Sequence, residues 1–432
     1  MSRQVAESCV YKTLILYFYV DLNNLICAAA NLLKGGENMP EYVIIELKQH
    51  VGAPSKSVVQ VGDYVKKGQL IASFEGLGAN VHSSVYGTVS EVTETYIKIA
   101  ADQEQPEEYV KIKETESYIE AIREAGVVGA GGAGFPAHAK FNTDLKGGCV
   151  ILNAAECEPV LAHNMKVLAE TPELIVRGLK YAMEITNAKN AFIAIKPKHK
   201  RELISIAKAC KNEPNIEVKY LPDIYPAGDE RVIVRELLGV TLEAGQLPLV
   251  ANAVISNVET IKNIVNAIEL RKPVITKDLT VGGRLSETQN DAKVFLDQPI
   301  GVPVKHYVDL CGGYVEPHGE IVLGGPFTGK HGTEDSLVTK LLGGIFVSMP
   351  FPEDKRKFGI LACECGATED RLKEIASYIG GQVVAEERCK RMVEVNGRYR
   401  CDKPGSCPGQ TEKVLSLKAK GAEVVLTGTC ED

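Results

Sequence analysis

The chain has 432 residues, of which 45% are hydrophobic and 24% charged, and its 49 Lys plus Arg against 56 Asp plus Glu give a net charge of -7. At roughly 100–200 residues per domain, this length predicts several domains, each with a core of its own. The acidic balance excludes a general nucleic-acid binder, because neutralising phosphates requires an excess of Lys and Arg. Twelve cysteines are too few for a disulfide scaffold in a chain this long, which favours a cytoplasmic setting with thiols available for redox or metal chemistry.

The N-terminal segment, residues 1–41, predicts no membrane span. Its longest apolar run, 10–20, contains Lys12 and is much shorter than the roughly 20 residues that a spanning helix needs. The codons expected for residues 35–38 resemble a ribosome-binding site, and patterned sequence starts after Met39. We therefore expect 1–41 to be a non-native or disordered extension, with a secretory signal as the less favoured alternative.

Residues 42–105 predict a small all-β module. Short alternating runs are separated by glycine turns, which is typical of a compact barrel or sandwich. The segment VGDYVKKGQ at 61–69 resembles the barrel-sandwich hybrid of biotinyl and lipoyl carriers. Those carriers need a lysine at a hairpin tip, and the corresponding segment 78–84 has none, so a docking or structural role is expected.

A glycine-rich loop follows a predicted helix near 118–125. Five glycines between Gly126 and Gly134 allow close approach of the backbone to a ligand, and successive N–H groups of such a run can bind an anion. Lys140 adds a positive charge nearby. The P-loop pattern is not met, and the dinucleotide pattern G-x-G-x-x-G matches only at 129–134, where no clear strand precedes it.

Two acids follow the next predicted strand. The apolar run 148–153 is typical of a buried strand, and Glu156 and Glu158 come just after it. In an α/β sheet, ligands bind at the carboxyl ends of strands. Paired carboxylates at that position suit hydrogen bonds to ribose hydroxyls or to a flavin edge.

These two motifs together closely resemble the flavin- and nicotinamide-binding domain shared by the NADH-dehydrogenase subunit of respiratory complex I and by the RnfC subunit of the Rnf electron-transport complex. The segments YPAGDE at 225–230 and ISNVET at 255–260 fit the same family, with Ser256 where the complex I subunit usually has asparagine. The barrel-like module also resembles the N-terminal part of RnfC. The resemblance implies hydride transfer from NADH to FMN, and it assigns no residue a catalytic role.

The resemblance also implies which residues bind the cofactors. The FMN phosphate and ring would be lined by Gly129, Gly131, Gly132, Lys140 and Asn153, with Asn257 and Thr260 on the other side. NADH would face Glu156 and Glu158, with the site closed by Tyr225, Asp229 and Glu230.

The predicted fold is therefore a multidomain α/β protein. After the N-terminal extension, its parts are a barrel-sandwich hybrid module (42–105), a Rossmann-like α/β domain for FMN and NADH (106–268), a β-grasp module resembling SLBB domains (269–348) and a small cysteine-rich α/β domain (349–432). RnfC also carries two ferredoxin-type cysteine runs, and this sequence has neither. Electrons would therefore need another exit.

The C-terminal domain supplies five candidate metal-binding or redox thiols. They are Cys363, Cys365, Cys389, Cys407 and Cys430. The layout loosely resembles the delta subunit of methyl-viologen-reducing hydrogenases, which holds a two-iron cluster. Three interpretations stay open: an iron-sulfur cluster, a thiol relay, and separate buried thiols or structural zinc. A polar loop is predicted to carry Cys401 and Cys407.

The sequence ends two residues after Cys430, and one hypothesis is that the gene continues through an in-frame selenocysteine codon. The whole chain most resembles the RnfC-like electron-transfer proteins associated with D-proline reductase, the PrdC family. This resemblance implies a soluble protein that oxidises NADH through FMN and passes electrons to a partner reductase. The alternatives are a peripheral subunit of a membrane electron-transport complex and a docking scaffold without flavin.

Overall fold

The computed structural model describes residues 39–132, 134–289 and 291–428. Most of the predicted N-terminal extension, together with Cys430, lies outside these ranges. Among the described residues, no helix combines the length and the apolar character needed to cross a bilayer.

The first module consists of two small antiparallel sheets. Its strands are β1 (Tyr42–Glu46), β2 (Lys56–Ser57), β3 (Tyr64–Val65), β4 (Leu70–Ser73), β5 (Val81–His82), β6 (Gly87–Val92) and β7 (Tyr96–Ala101). One sheet has the order β1-β7-β6-β3 and the other β2-β4-β5. Strand β1 alternates in burial, and its inward residues Val43 and Ile45 pack with Ile97 and Ile99 of its partner strand in a closed core.

The segment that carries the lysine in biotinyl and lipoyl carriers is buried in this chain. Val81 and His82 are almost fully enclosed, and the Ser84 hydroxyl donates a hydrogen bond to the carbonyl of Ile300 at 2.6 Å. The segment is therefore an internal contact between modules, and the docking or structural role of the module stays a prediction.

The second domain is a four-stranded parallel sheet with helices on both faces. Its elements are α1 (Tyr118–Glu124), α2 (Ala137–Phe141), β8 (Cys149–Ala154), α3 (His163–Glu170), α4 (Pro172–Thr186), β9 (Asn190–Ile195), α5 (Lys200–Ala209), β10 (Ile216–Tyr220), α6 (Glu230–Leu238), a 3-10 turn (Pro248–Ala251), β11 (Ala253–Asn257) and α7 (Val258–Glu269). The strand order is β10-β9-β8-β11. Val150 and Leu152 pack into one core while Cys149 and Ile151 pack into another, so β8 is buried on both faces.

The third module is a mixed five-stranded sheet with one helix. It contains β12 (Thr276–Gly283), β13 (Lys293–Pro299), α8 (Val304–Leu310), β14 (Ile321–Leu323), β15 (Lys330–Gly332) and β16 (Gly344–Val347), in the order β13-β12-β16-β14-β15. Strand β12 buries Lys277 and Asp278 against Glu259 and Lys262 of α7. This ionic network connects the module to the α/β domain. The assignment of this module to the β-grasp class stays a prediction.

Lys340 joins three modules through one buried side chain. Its Nζ donates hydrogen bonds of 2.8 Å to the carbonyls of Asn80 and Gly126, and its backbone N–H donates to the Gln49 side chain. Burial lowers the pKa of Lys340 to about 7.

The C-terminal domain is a three-stranded parallel sheet in the order β18-β17-β21, with a separate hairpin. Its elements are β17 (Lys357–Ala362), α9 (Glu369–Ile379), β18 (Gln382–Arg388), β19 (Met392–Val395), β20 (Arg398–Cys401), α10 (Thr411–Ala419) and β21 (Val424–Thr427). The prediction of a polar loop at Cys401 is wrong, because Cys401 is the last residue of the hairpin strand β20. Asn396 and Gly397 both adopt positive φ and form the tight turn. The Asn-Gly pair is the feature of the sequence that could have predicted this hairpin.

Candidate functional site

A cavity of about 530 Å³ lies at the carboxyl ends of β8 and β11, within the size range of small-molecule sites. All twelve residues that the family resemblance assigned to cofactor binding line it: Gly129, Gly131, Gly132, Lys140, Asn153, Glu156, Glu158, Tyr225, Asp229, Glu230, Asn257 and Thr260. Their convergence is a structural finding, whereas their roles toward FMN and NADH stay predictions.

The glycine-rich loop forms one wall of this cavity. The Gly129 N–H donates to the Phe135 carbonyl at 2.9 Å, and the Ala130 N–H donates to the buried Thr260 hydroxyl at 2.9 Å, so the loop is fixed at both sides. Gly132 has a φ of +90°, and an added Cβ would meet open space. Within the described ranges, the N–H groups of Gly131 and Gly132 donate to no protein acceptor. These two amides are available to an anion.

The N-terminus of α7 lies beside the same loop. Asn257 caps the helix, with its side-chain oxygen accepting from the Glu259 N–H at 2.8 Å. A Cβ on Gly131 would lie 3.3 Å from the Asn257 side-chain nitrogen, so the loop approaches the helix end closely because a glycine is there. Helix N-termini favour anions. The wall therefore fits the phosphate of a nucleotide.

Two charged residues face each other across this wall. Lys140 of α2 and Glu230 in the first turn of α6 form an ion pair of 2.8 Å, and both side chains stay partly exposed. Lys140 is thus positioned by Glu230 and keeps two further N–H donors for a ligand.

The opposite edge is fixed by polar contacts between β8 and the segment before α6. The Asn153 side chain donates to the Gly228 carbonyl at 2.9 Å, and the Gly228 N–H donates to the Cys157 sulfur at 2.9 Å. Asp229 caps α6 and pairs with Arg231 at 2.8 Å. Asn153 and Asp229 therefore hold the cavity wall in place.

Glu156 is the acid best placed for a ligand. Its side chain is surrounded by protein but keeps an open face to the cavity, and its φ of +32° is rare for a residue with a side chain. Burial, with a smaller contribution from the charge of Glu158, raises the pKa of Glu156 to about 7. The carboxyl therefore changes charge near neutral pH.

Glu158 is already engaged by the third module. Its two oxygens accept hydrogen bonds from the backbone N–H groups of Phe327 and Thr328 at 2.8 and 2.9 Å, and the Thr328 hydroxyl donates as well. This carboxylate connects the strand end to the loop between β14 and β15. The predicted contact of Glu158 with NADH would require sharing these bonds.

Comparison with known proteins bears on this geometry. Residues 122–266 match the Nuo51 FMN-binding domain, and residues 35–115 match the RnfC barrel sandwich hybrid domain. The chain is 34% identical over 311 residues to the C subunit of the proton-translocating ferredoxin:NAD(+) oxidoreductase complex of Clostridium ljungdahlii, covering 67% of each protein. It is 30% identical to the C subunit of the Na(+)-translocating complex of Acetobacterium woodii, covering 70% of this chain and 72% of that protein.

The chain belongs to the RnfC-like family. A further relative is the cobalamin reductase PduS of Citrobacter freundii, 37% identical over 229 residues that cover 53% of this chain and 49% of PduS. These relatives are components of oxidoreductases. The predictions of a barrel-sandwich hybrid and an FMN-binding domain are thereby confirmed.

In this RnfC-like protein the C-terminal domain reaches the rim of the cavity. Glu364 and Cys365 line it, and the Tyr225 hydroxyl donates to the Cys365 carbonyl at 2.5 Å. Arg231 of α6 donates to the Glu364 carboxylate at 3.0 Å and to the Cys401 carbonyl at 2.7 Å. Sequence reasoning missed Glu364 and Arg231, because nothing local indicates that α6 meets the loop after β17.

We expect Arg231→Ala to loosen this contact. The Arg231 side chain is only 12% exposed, and its loss removes the cation that joins Asp229 to Glu364, although Arg400 stays paired with Glu364 at 2.7 Å. Limited proteolysis should cleave the connection between the third module and the C-terminal domain several-fold faster than in wild type. Arg201→Ala, at a side chain 73% exposed, should leave the rate unchanged, and equal rates in both variants would contradict the docking role.

Four thiols meet in this RnfC-like protein's C-terminal domain, and we call them the thiol cluster (Cys363, Cys365, Cys389 and Cys401). The Cys363 thiol contacts those of Cys365 and Cys389, and Cys365 also contacts Cys401. Sequence reasoning did not include Cys401 among the candidate thiols. Cys407 is exposed and lies beside the cluster, and Cys430 is outside the described residues.

None of the described cysteines forms a disulfide. Among the described residues, no group of three or more His, Cys, Asp or Glu side chains is arranged to hold a metal ion. The arrangement is one of thiols in successive pairwise contact.

Proposed function

We propose that this chain oxidises NADH with the help of FMN and passes the electrons to a partner reductase. The observation that carries this proposal is the convergence of two unpaired loop amides, a capped helix N-terminus and the half-buried carboxyl of Glu156 on one cavity. The membership of the RnfC-like family and the match to an FMN-binding domain support it.

The phosphate of FMN would be held by the amides of Gly131 and Gly132 and by the ammonium group of Lys140. Thr260 and Asn257 keep those amides in place by fixing the loop and the helix end. The chemistry that FMN supplies when bound is to accept a hydride and to release electrons one at a time. The protein's part is to orient the two cofactors and to exclude water from their contact.

The ribose hydroxyls of the dinucleotide would donate hydrogen bonds to Glu156. A carboxylate accepts such bonds more strongly than a protonated carboxyl does. Because the pKa of Glu156 is raised to about 7, it is ionised above that pH and protonated below it. Dinucleotide affinity should therefore fall as the pH drops from about 8 to 6.

We expect Glu156→Gln to weaken NADH binding about tenfold at pH 8, because a hydrogen bond to a charged group is worth about 1–1.5 kcal/mol more than one to a neutral group. The variant should also lose the change of affinity between pH 6 and 8. Titration of NADH by fluorescence at both pH values measures this. Glu173→Gln, at an exposed residue of α4, should behave as wild type.

The direct test of the proposed function is the absorption spectrum of the protein purified without oxygen. We expect the bands of an oxidised flavin and their bleaching when NADH is added. A colourless protein that neither binds added FMN nor oxidises NADH would contradict the proposal and leave the docking scaffold as the alternative.

We further propose that the electron acceptor is a reductase of the D-proline reductase type. The support is the whole-chain resemblance to the RnfC-like proteins that accompany this enzyme. Purified D-proline reductase mixed with this protein should consume NADH only when D-proline is present. No D-proline-dependent consumption would reject this acceptor and leave NADH oxidation itself unaffected.

A second candidate function is that of a peripheral subunit of an ion-translocating complex. The identity of 34% to the corresponding protein of the Clostridium ljungdahlii complex favours it. Affinity purification from membranes distinguishes the two, since only this function predicts stoichiometric co-purification of integral membrane proteins.

A further inference from the structure

A row of cysteine sulfurs leads from the cavity to the protein surface. Cys365 belongs to the residues that line the cavity. Its thiol contacts Cys363, which in turn contacts Cys389. The side-chain nitrogen of Gln410 lies 3.0 Å from the Cys389 sulfur and 4.0 Å from the sulfur of Cys407, which is exposed. The row therefore has one end at the cavity and the other in solvent.

Main-chain amides support negative charge on these sulfurs. The backbone N–H groups of Cys365 and Arg391 donate to the sulfurs of Cys363 and Cys389, respectively. A hydrogen bond from the Cys365 thiol lowers the pKa of Cys363 to about 6. The thiolate is the reactive form in exchange with a disulfide, so Cys363 is positioned between its two neighbours as a nucleophile.

We propose that Cys365, Cys363, Cys389 and Cys407 form a dithiol-disulfide relay that carries reducing equivalents from the cavity to a disulfide of a partner protein. This inference rests on the proposed function for the source of the electrons. It names an exit for the electrons and defines the partner by its chemistry.

The proposed transfer of electrons takes place in two steps, and atoms and electrons balance in each. First, a Cys363–Cys365 disulfide at the cavity breaks and becomes two thiols, with two electrons and one proton from NADH and a second proton from solvent. NADH becomes NAD⁺. A disulfide closing a ring of three residues is strained and therefore readily reduced.

In the second step, the Cys363 thiolate attacks the Cys389 sulfur of a Cys389–Cys407 disulfide, and Cys407 leaves as a thiolate. Cys365 then attacks the Cys363 sulfur, which re-forms the first disulfide and releases Cys389. The Cys389 and Cys407 thiols are now both reduced. They reduce the partner's disulfide by the same exchange, and Cys407 attacks first because it is exposed.

The experiment uses the full chain and insulin as the protein disulfide. Protein reduced with dithiothreitol and freed of the reagent should reduce insulin disulfides, and Cys407→Ser should lower the rate at least tenfold. Cys363→Ser retains the reduced Cys389 and Cys407 pair, so it should keep the initial rate but reduce only about half as many insulin disulfides per chain. Cys210→Ser, at a partly buried cysteine on the end of α5, is the matched control and should keep the wild-type rate. After oxidation with diamide, peptide mass spectrometry should find the Cys363–Cys365 and Cys389–Cys407 disulfides.

A second arm replaces dithiothreitol with NADH. Failure of this arm alone would count against the proposed function, because the relay in the first arm does not depend on NADH. An unchanged rate in Cys407→Ser, or an unchanged yield of reduced insulin disulfides in Cys363→Ser, would overturn the relay. So would tightly bound iron or zinc that protects the thiol cluster from alkylation, since metal-bound thiolates cannot exchange.

Discussion

Replacing Gly132 with valine should abolish flavin binding. The residue has a φ of +90°, which a β-branched side chain adopts only at a cost of about 1–3 kcal/mol. The isopropyl group would also occupy the open space beside the two unpaired loop amides. We expect the flavin content after saturation with FMN to fall to less than about one-tenth of the wild-type value.

The matched control is Gly147→Val. Gly147 also has a positive φ, +81°, and an added Cβ meets nothing within 4 Å, but the residue does not line the cavity. The two variants carry the same backbone strain, so a difference in flavin content isolates the role of the loop. Full flavin retention by Gly132→Val would exclude this loop as the phosphate site.

Of the substitutions proposed for this protein, Lys277→Met should lower the free energy of unfolding most. Lys277 is 1% exposed and pairs with the carboxylate of Glu259, which also accepts from the Asp278 N–H at 2.9 Å. Without the lysine, Glu259 stays buried next to Asp278 with its charge uncompensated. Breaking a buried ion pair costs about 3–5 kcal/mol. The urea concentration at the midpoint of unfolding should therefore be lower for the variant than for wild type.

Lys56→Met is the matched control for this prediction. Lys56 pairs with Glu75 at 2.8 Å, but both side chains are more than two-thirds exposed, and such pairs contribute about 0–1 kcal/mol. The double variant Lys277→Met/Glu259→Leu should recover part of the loss, because it removes both charges. A single variant as stable as wild type would show that the pair does not hold the third module to the α/β domain.

The sequence predicted which residues line the cavity, but it did not predict the contacts that other modules make with them. The loop glycines Gly129, Gly131 and Gly132, the two strand-end acids and Asn257 belong to short motifs that resemble a known family, and all of them line one cavity. The partners of Glu158 were not readable. They lie about 170 positions later, at Phe327 and Thr328, and no local pattern specifies such a contact.

The arrangement of the modules was also beyond sequence reasoning. The barrel-sandwich hybrid and the FMN-binding domain were expected from motifs that resemble known families, and both are confirmed by family comparison. The position of Cys401 was missed for a different reason, since the Asn396-Gly397 turn was present in the sequence but was overlooked. The contact of Arg231 with Glu364 depends on how two separately folded surfaces meet.

The buried ammonium group of Lys340 restricts how this protein can be divided for experiments. A fragment that stops at residue 268 would retain the carbonyls of Asn80 and Gly126 but lose their shared donor, and the buried Ser84 hydroxyl would lose its acceptor, the Ile300 carbonyl. Such a fragment would be destabilised by unsatisfied buried polar groups even with an intact nucleotide loop. Expression vectors for spectroscopy should therefore encode the first three modules together with the C-terminal domain, since residues 42–432 form one compact unit and Glu364 and Cys365 line the cavity.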